Sequence, residues 1–330
     1  MAHHQIASMK QPLLILLLSV GFAATLLLSI SYGSVSIPFA AVVELLLNPD
    51  GTTWSRILWE LRLPRALFAF IIGGLLALAG VLMQALLRNP LADPYILGTS
   101  GGAAAAMLVA FLLAIPAQLH ALMALAGAAF STLILLSFTG VRQGLQQQQL
   151  LLSGIILTTG WGALITFLLT AAPTAQIPGM LFWLIGDLGE SSSLLLPAVT
   201  LAAGLVAALL LAKPLDMLLL GDLQAASLGV SVKSLRFVML GVAVSVTAIA
   251  VTAAGPIGFV GLVTPHLVRF VTGASHRRLV PASVLLGGML MMAADLLSRT
   301  IIAPRQMPVG VFTAMIGVPI FLFLMKRRQR

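Results

Sequence analysis

Polar and apolar positions along this chain segregate in blocks. Apolar runs long enough to cross a bilayer as a helix, about 18 residues or more, recur from end to end, and short polar stretches between them hold most of the charge. Ten such spans fit best, at about 12–32, 66–87, 95–115, 119–139, 150–172, 194–212, 235–254, 256–271, 279–297 and 308–325. The first run, Leu13 to Ile30, is longer than a signal-peptide core and no small-x-small cleavage site follows it, so a retained helix is expected. The eighth is short, begins Pro256-Ile257-Gly258 and carries Pro265, His266 and Arg269 near its end.

Charge decides whether the eighth span counts. With ten spans and a cytoplasmic N-terminus, the inside holds Lys10, Arg88, Arg142, Lys213, Lys233, Arg236, Arg269, Arg277, Arg278, Lys326, Arg327, Arg328 and Arg330. Only Arg56, Arg62, Arg65, Arg299 and Arg305 fall outside, which obeys the positive-inside rule. Dropping the eighth span would send Arg277-Arg278 and the C-terminal basic cluster outside. The net charge of +9 therefore reports orientation, not nucleic-acid binding.

Composition agrees. Hydrophobic residues make up 60% of the chain and charged residues 8%, against about 25% charged in a soluble domain. Backbone groups in hydrocarbon must be paired within the segment, which leaves helices, since the short alternating segments of a barrel are absent. The expected fold is an all-α polytopic membrane protein of about ten transmembrane helices, both termini cytoplasmic, forming a single domain over 1–330. Small residues at helical spacing, such as Gly73-Gly74 with Gly80 and Gly98 with Gly101-Gly102, suit close helix packing or the lining of a wide pathway.

Candidate chemistry is sparse. There is no cysteine, and no glycine-rich loop ending in Gly-Lys-Ser/Thr, so thiolate chemistry and Walker-type ATP binding are excluded. His120 and His266 stand apart from each other and from any carboxylate pair, Glu44 and Glu60 read as solvated, and the run Gln146 to Gln149 reads as a polar connector. Ion-coupled transport usually leaves ionisable residues inside the spans, yet mid-span positions here are almost free of them. Asp295, four residues before Arg299, reads as a structural ion pair. Energy for transport must then come from elsewhere.

The segment Lys213 to Gly229 points to a source. Pro214 suits a first helical turn, Gly221 breaks the helix, Asp222 is expected to N-cap the next turns, and Gly229 suits a left-handed position after them. Two short helices would lie on the cytoplasmic side, either resting on lipid or plugging into a cleft on a partner. The second reading gives Leu218 to Leu220, otherwise an exposed apolar patch, something to bury it.

Several strings, in order, closely resemble the permease family of the vitamin B12 and iron-chelate ABC importers, the FecCD family. They are Leu61-Arg62-Leu63-Pro64-Arg65 running through Gln84 to Gly98, Leu215 to Gly229, Gly255 to Arg269, His276 to Pro281, Ala294 to Arg299, and Met307-Pro308-Val309-Gly310. The resemblance covers most of the chain and is weakest before Trp54. It implies a type II ABC importer permease with ten helices per subunit, not itself an enzyme, working as a dimer on two separate ATPase subunits that bind ATP and Mg. Substrate would come from a periplasmic binding protein across a bacterial inner membrane.

Residue by residue, the resemblance makes Arg62, Arg65 and Arg299 the outer arginines that meet acidic residues of the binding protein. It makes Leu218, Leu219, Gly221, Asp222, Leu223, Ala226 and Gly229 part of the coupling element seated in the ATPase. Asn89, Leu91, Gln147 and Gln148 fall at the cytoplasmic constriction. The vitamin B12 importer has small hydroxyl residues in place of Gln147-Gln148, and many relatives carry an acidic residue in place of Gln306. No cofactor or metal site is implied for the chain itself. An iron-siderophore or haem is the expected cargo, cobalamin the alternative; a secondary transporter is the contrasting class and a channel a third.

Overall fold

The structure, a computed structural model, describes residues 2–33, 37–139, 145–189, 193–303 and 305–328. Arg142 and Arg330, and the side chains of Lys10, Arg327 and Arg328, lie outside the described residues. The fold is all-helical. Its helices are α1 (Ala2–Ser31), α2 (Phe39–Leu47), α3 (Thr53–Arg56), α4 (Leu63–Leu86), α5 (Thr99–Leu112), α6 (His120–Phe138), α7 (Gln147–Ala171) and α8 (Ile177–Ile185). There follow α9 (Leu195–Leu210), α10 (Ala212–Leu218), α11 (Asp222–Ser227), α12 (Val232–Ala254), α13 (Val260–Thr272), α14 (His276–Thr300) and α15 (Val309–Arg328).

Among the described residues, five continuous helices are long and apolar enough to cross a membrane, a sixth is bent by 57° between α9 and α10, and four more apolar helices are shorter. Together these account for the ten predicted spans, with ends shifted by a few residues. The polar stretch before the second span is more ordered than its sequence suggests. Thr52 caps α3 through its side chain, and a π-helical stretch, Ile57–Arg62, joins α3 to α4.

The middle of the molecule is α4. Its apolar stretch is 83% covered, whereas that of α7 is only 11% covered and faces outward. Helices can pack this closely around α4 because glycine removes the side chain where backbones meet. A Cβ on Gly73 would overlap the Gly287 carbonyl of α14, and one on Gly80 the Gly261 carbonyl of α13. Phe22 of α1 meets Phe70 of α4 edge to face at 4.9 Å.

The helices α5 and α13, with 14 and 13 residues, are too short to span alone. Each is preceded by irregular backbone, and the two irregular segments are tied together. The Tyr95 hydroxyl donates to the Ile257 carbonyl at 2.9 Å, and beside this tie Gln84 of α4 donates to the Leu262 carbonyl in the first turn of α13 at 3.2 Å. Buried polar backbone at this depth needs such partners. The eighth predicted span thus exists as a half-length helix behind an irregular entry, with Phe259 in the left-handed region at φ 70°.

Candidate coupling and gating site

Charged side chains gather at the two ends of the bundle. At one end, where α1 and α14 finish and α4 begins, lie the three candidate docking arginines. Arg62 is 5% exposed, and its guanidinium donates to the carbonyls of Ile30 and Ser31 at 2.8 and 2.7 Å, closing the C-terminus of α1. Arg65 donates through Nε and Nη2 to Asp295 Oδ1 at 2.9 and 2.8 Å. Arg299 pairs with the other oxygen of the same carboxylate at 3.0 Å and also reaches Ser29 of α1.

The expected Asp295–Arg299 pair is present, but it is half of an arrangement that binds α1, α4 and α14. Two guanidiniums flank one fully buried carboxylate, and the third, Arg62, is held on backbone carbonyls close by. Asp187 lies nearby, its carboxyl pushed up by burial and lowered in part by Arg65. Gln306 Nε2 is 3.5 Å from Asp187 Oδ1. An apolar cavity of about 730 Å³ opens here, with Phe111, His120, Trp183, Asp187 and Thr252 on its walls. His120 is occupied by the Ile115 carbonyl at 2.9 Å, and His266 packs against Phe270 and Phe321.

The opposite end holds the two short helices. Gly221 breaks them at φ 122° and Gly229 ends the second at φ 86°, both in the region expected of glycine. Two expectations are corrected. Leu218 is fully buried, so the exposed apolar surface is not Leu218 to Leu220 but Leu220 and Leu223, which are 60% and 88% exposed, with Ala226 and Leu228. Leu219 is half-buried. The turn between the helices rotates Leu218 onto the bundle and leaves Leu220 outside.

Asp222 is not the N-cap. The cap is Gly221, which offers no side chain, and Asp222 is the first helical residue. Its carboxylate is taken instead by two arginines from the bundle: Arg88 Nη2 donates to Oδ1, and Arg236 Nη2 donates to both oxygens at 3.0 and 2.9 Å. At the other end of the short-helix pair, Asp216 accepts the backbone N–H of His276 at 2.8 Å and meets its Nδ1 at 2.6 Å, capping α14. Sequence reasoning missed both anchors, because Arg88 and His276 lie 134 and 60 residues from their carboxylates and Arg236, 14 residues on, belongs to a different helix.

The candidate gate residues sit beside these anchors. The main chain around Asn89 is a tight turn in which Asn89 Oδ1 accepts the Leu91 N–H at 2.9 Å. Gln147 Nε2 donates to the Leu86 carbonyl at 3.1 Å, so the start of α7 is held to the end of α4. Leu91 and Gln148 are exposed. The structure therefore brings the two candidate gate segments together through Gln147 and Leu86 and ties the first of them to the short helices through Arg88 and Asp222.

Long apolar spans, half-length helices with irregular entries, and a pair of short helices presenting leucines beyond the bundle define a multi-pass membrane permease. The FecCD transport family model matches residues 20–327, and the chain belongs to that family, whose members are permease subunits of ABC transporters rather than enzymes. It is 40% identical over 326 residues to the Fe(3+) dicitrate transport system permease protein FecD of Escherichia coli K12, covering 96% of this chain and 99% of that one. To the hemin transport system permease protein HmuU of Yersinia pestis it is 37% identical over 326 residues, covering 94% and 96%. A solved metal-chelate type ABC transporter in an inward-facing conformation superposes with a TM-score of 0.82 at 28% identity, covering 96% of this chain and 99% of that one.

Proposed function

We propose that this chain is the membrane subunit of an ATP-driven importer of a metal chelate, an iron(III)-siderophore or haem, in a bacterial inner membrane. Two copies would pair through their outward faces, with α7 the least covered of the long apolar helices among the described residues, and two separate ATPase subunits would bind ATP and Mg beneath them. The short helices would then be cytoplasmic, as the distribution of Lys and Arg requires. A periplasmic binding protein would deliver the chelate to the end that holds Arg62, Arg65 and Arg299.

One observation carries the reading: Leu223 on α11, with Leu220 and Leu228 in the turns beside the short helices, stands exposed on a segment pinned to the bundle by Asp216 and Asp222. A pair of helices simply floating on lipid needs no such rigid seating; a plug that transmits force to a bundle does. The iron-chelate cargo is supported by the names of the similar permeases, which include iron dicitrate and hemin transporters.

The test is uptake into liposomes holding the permease with its ABC ATPase, with the cognate binding protein outside. Binding-protein-dependent, ATP-dependent accumulation of a ferric siderophore or haem is expected. Accumulation of cobalamin in place of either iron compound would overturn the cargo assignment.

A further inference from the structure

The main chain leaves α4 through a helix-ending turn in which the Arg88 N–H bonds to the Ala85 carbonyl at 3.3 Å and the Asn89 N–H to the Gln84 carbonyl at 3.1 Å. This is the double bond pattern that places one residue in the left-handed region, a position glycine fills without strain. Here the residue is Arg88, at φ 45°. A side chain there strains the backbone, and its retention needs a reason outside the turn.

The reason is at the other end of the side chain. The Arg88 guanidinium donates to Asp222, the first residue of α11 and the residue next to the exposed Leu223. The same carboxylate holds the buried Arg236, whose Nη1 is 3.4 Å from the Leu145 carbonyl, two residues before Gln147. One carboxylate on the short-helix pair is thus linked directly to the segment of Asn89 and Leu91 and, through Arg236, to the segment of Gln147 and Gln148.

We infer that Arg88 is a positioning residue that transmits movement of the α11 helix to the gate loop, with Asp222 as the shared pivot and Arg236 as the second arm. This rests on the proposed coupling role of α10 and α11. When the ATPase displaces α11, Asp222 moves and the strained turn at Arg88 moves with it. The strain helps, because the Arg88 backbone, set in the left-handed region by the helix-ending turn and tethered through its side chain to Asp222, has an alternative conformation to relax into. Arg236 keeps Asp222 paired even when Arg88 is absent, so the arms are separable.

The test uses the full permease co-expressed with its ABC ATPase in liposomes. The chain has no cysteine, so Leu91→Cys gives a single reporter whose labelling by a thiol reagent is followed without nucleotide and with ATP plus vanadate. Arg88→Gly relieves the backbone strain, leaves the Asp222–Arg236 pair and removes the arm. The nucleotide-dependent difference in Leu91→Cys labelling is expected to shrink about tenfold, the size of a lost charge-assisted bond, while the ATPase still co-purifies. Arg88→Lys should restore part of it.

If Arg88→Gly folds as well as the parent and keeps the full labelling difference, Arg88 is merely a helix terminator and the inference is wrong. Leu223→Asp distinguishes this from failure of the underlying reading. Loss of ATPase co-purification in Leu223→Asp, together with a full labelling difference kept in Arg88→Gly, would leave the coupling role standing and overturn only the Arg88 arm. Normal assembly in Leu223→Asp would overturn the coupling role, and with it this inference.

Discussion

Arg65 on α4 places two guanidinium nitrogens on one oxygen of Asp295 on α14, at 2.9 and 2.8 Å, across 230 residues of sequence. The other oxygen takes Arg299 at 3.0 Å. A buried carboxylate is tolerated here because two cations neutralise it, and each cation is held in place by the other's partner.

Asp295→Asn is therefore expected to be among the more damaging single changes at this end. It keeps the shape and removes the charge, leaving the Arg65 and Arg299 guanidiniums close together with no anion between them. A loss of about 3 kcal/mol follows, the usual consequence of breaking a buried pair by removing one partner. Thermal unfolding of purified permease in detergent measures it. Unchanged melting would mean that solvent reaches the cluster and screens it.

Gly80→Ala tests the packing at the centre. The added methyl would meet the Gly261 carbonyl, which is backbone and has no rotamer to yield. Overpacking of this kind destabilises by about 1–3 kcal/mol, so a lower melting temperature and a poorer yield of inserted protein are expected. Gly241→Ala is the control, because nothing lies within 4 Å of its added Cβ. It should melt with the parent.

Leu223→Asp separates folding from partnership. Leu223 is 88% exposed, so the isolated permease should lose no more than about 0.5 kcal/mol of stability. An apolar anchor at the centre of an interface contributes about 2 kcal/mol or more, so ATPase co-purification should fall steeply. Equal loss of stability and of assembly would show that the residue serves the fold instead.

Arg299→Gln leaves Arg65 on Asp295 and lowers the positive charge of the arginine end by one. Association with an acidic binding-protein surface should slow several-fold at low salt and converge with the parent at high salt, because charge steers encounter through space and salt screens it. Stopped-flow association at several salt concentrations reads this directly. An unchanged rate at every salt concentration would remove Arg299 from the docking surface.

The spans were legible because a bilayer demands long apolar runs, and each run in the sequence became a helix within a few residues of its expected place. Even the doubtful eighth span was visible as Pro256-Ile257-Gly258, the irregular entry to α13. The glycine contacts were legible as composition but not as pairs: nothing in Gly80 names Gly261. The ionic anchors were the least visible. Asp222 looks locally like a helix cap, and only the tertiary fold brings Arg88 and Arg236 to it, so long-range electrostatics displaced the local reading. Leu218 was misplaced for a related reason, since the turn at Gly221 sets which leucines face the bundle and no periodicity carries across it.

The central claim is that the chain moves its cargo only on energy supplied by a separate ATPase. Permease liposomes with and without the ABC ATPase, each given binding protein, loaded chelate, internal ATP and an imposed proton gradient, test it most directly. Concentrative uptake is expected only with the ATPase and ATP, whatever the gradient. Gradient-driven accumulation by the permease alone would contradict the account and make the chain a secondary transporter.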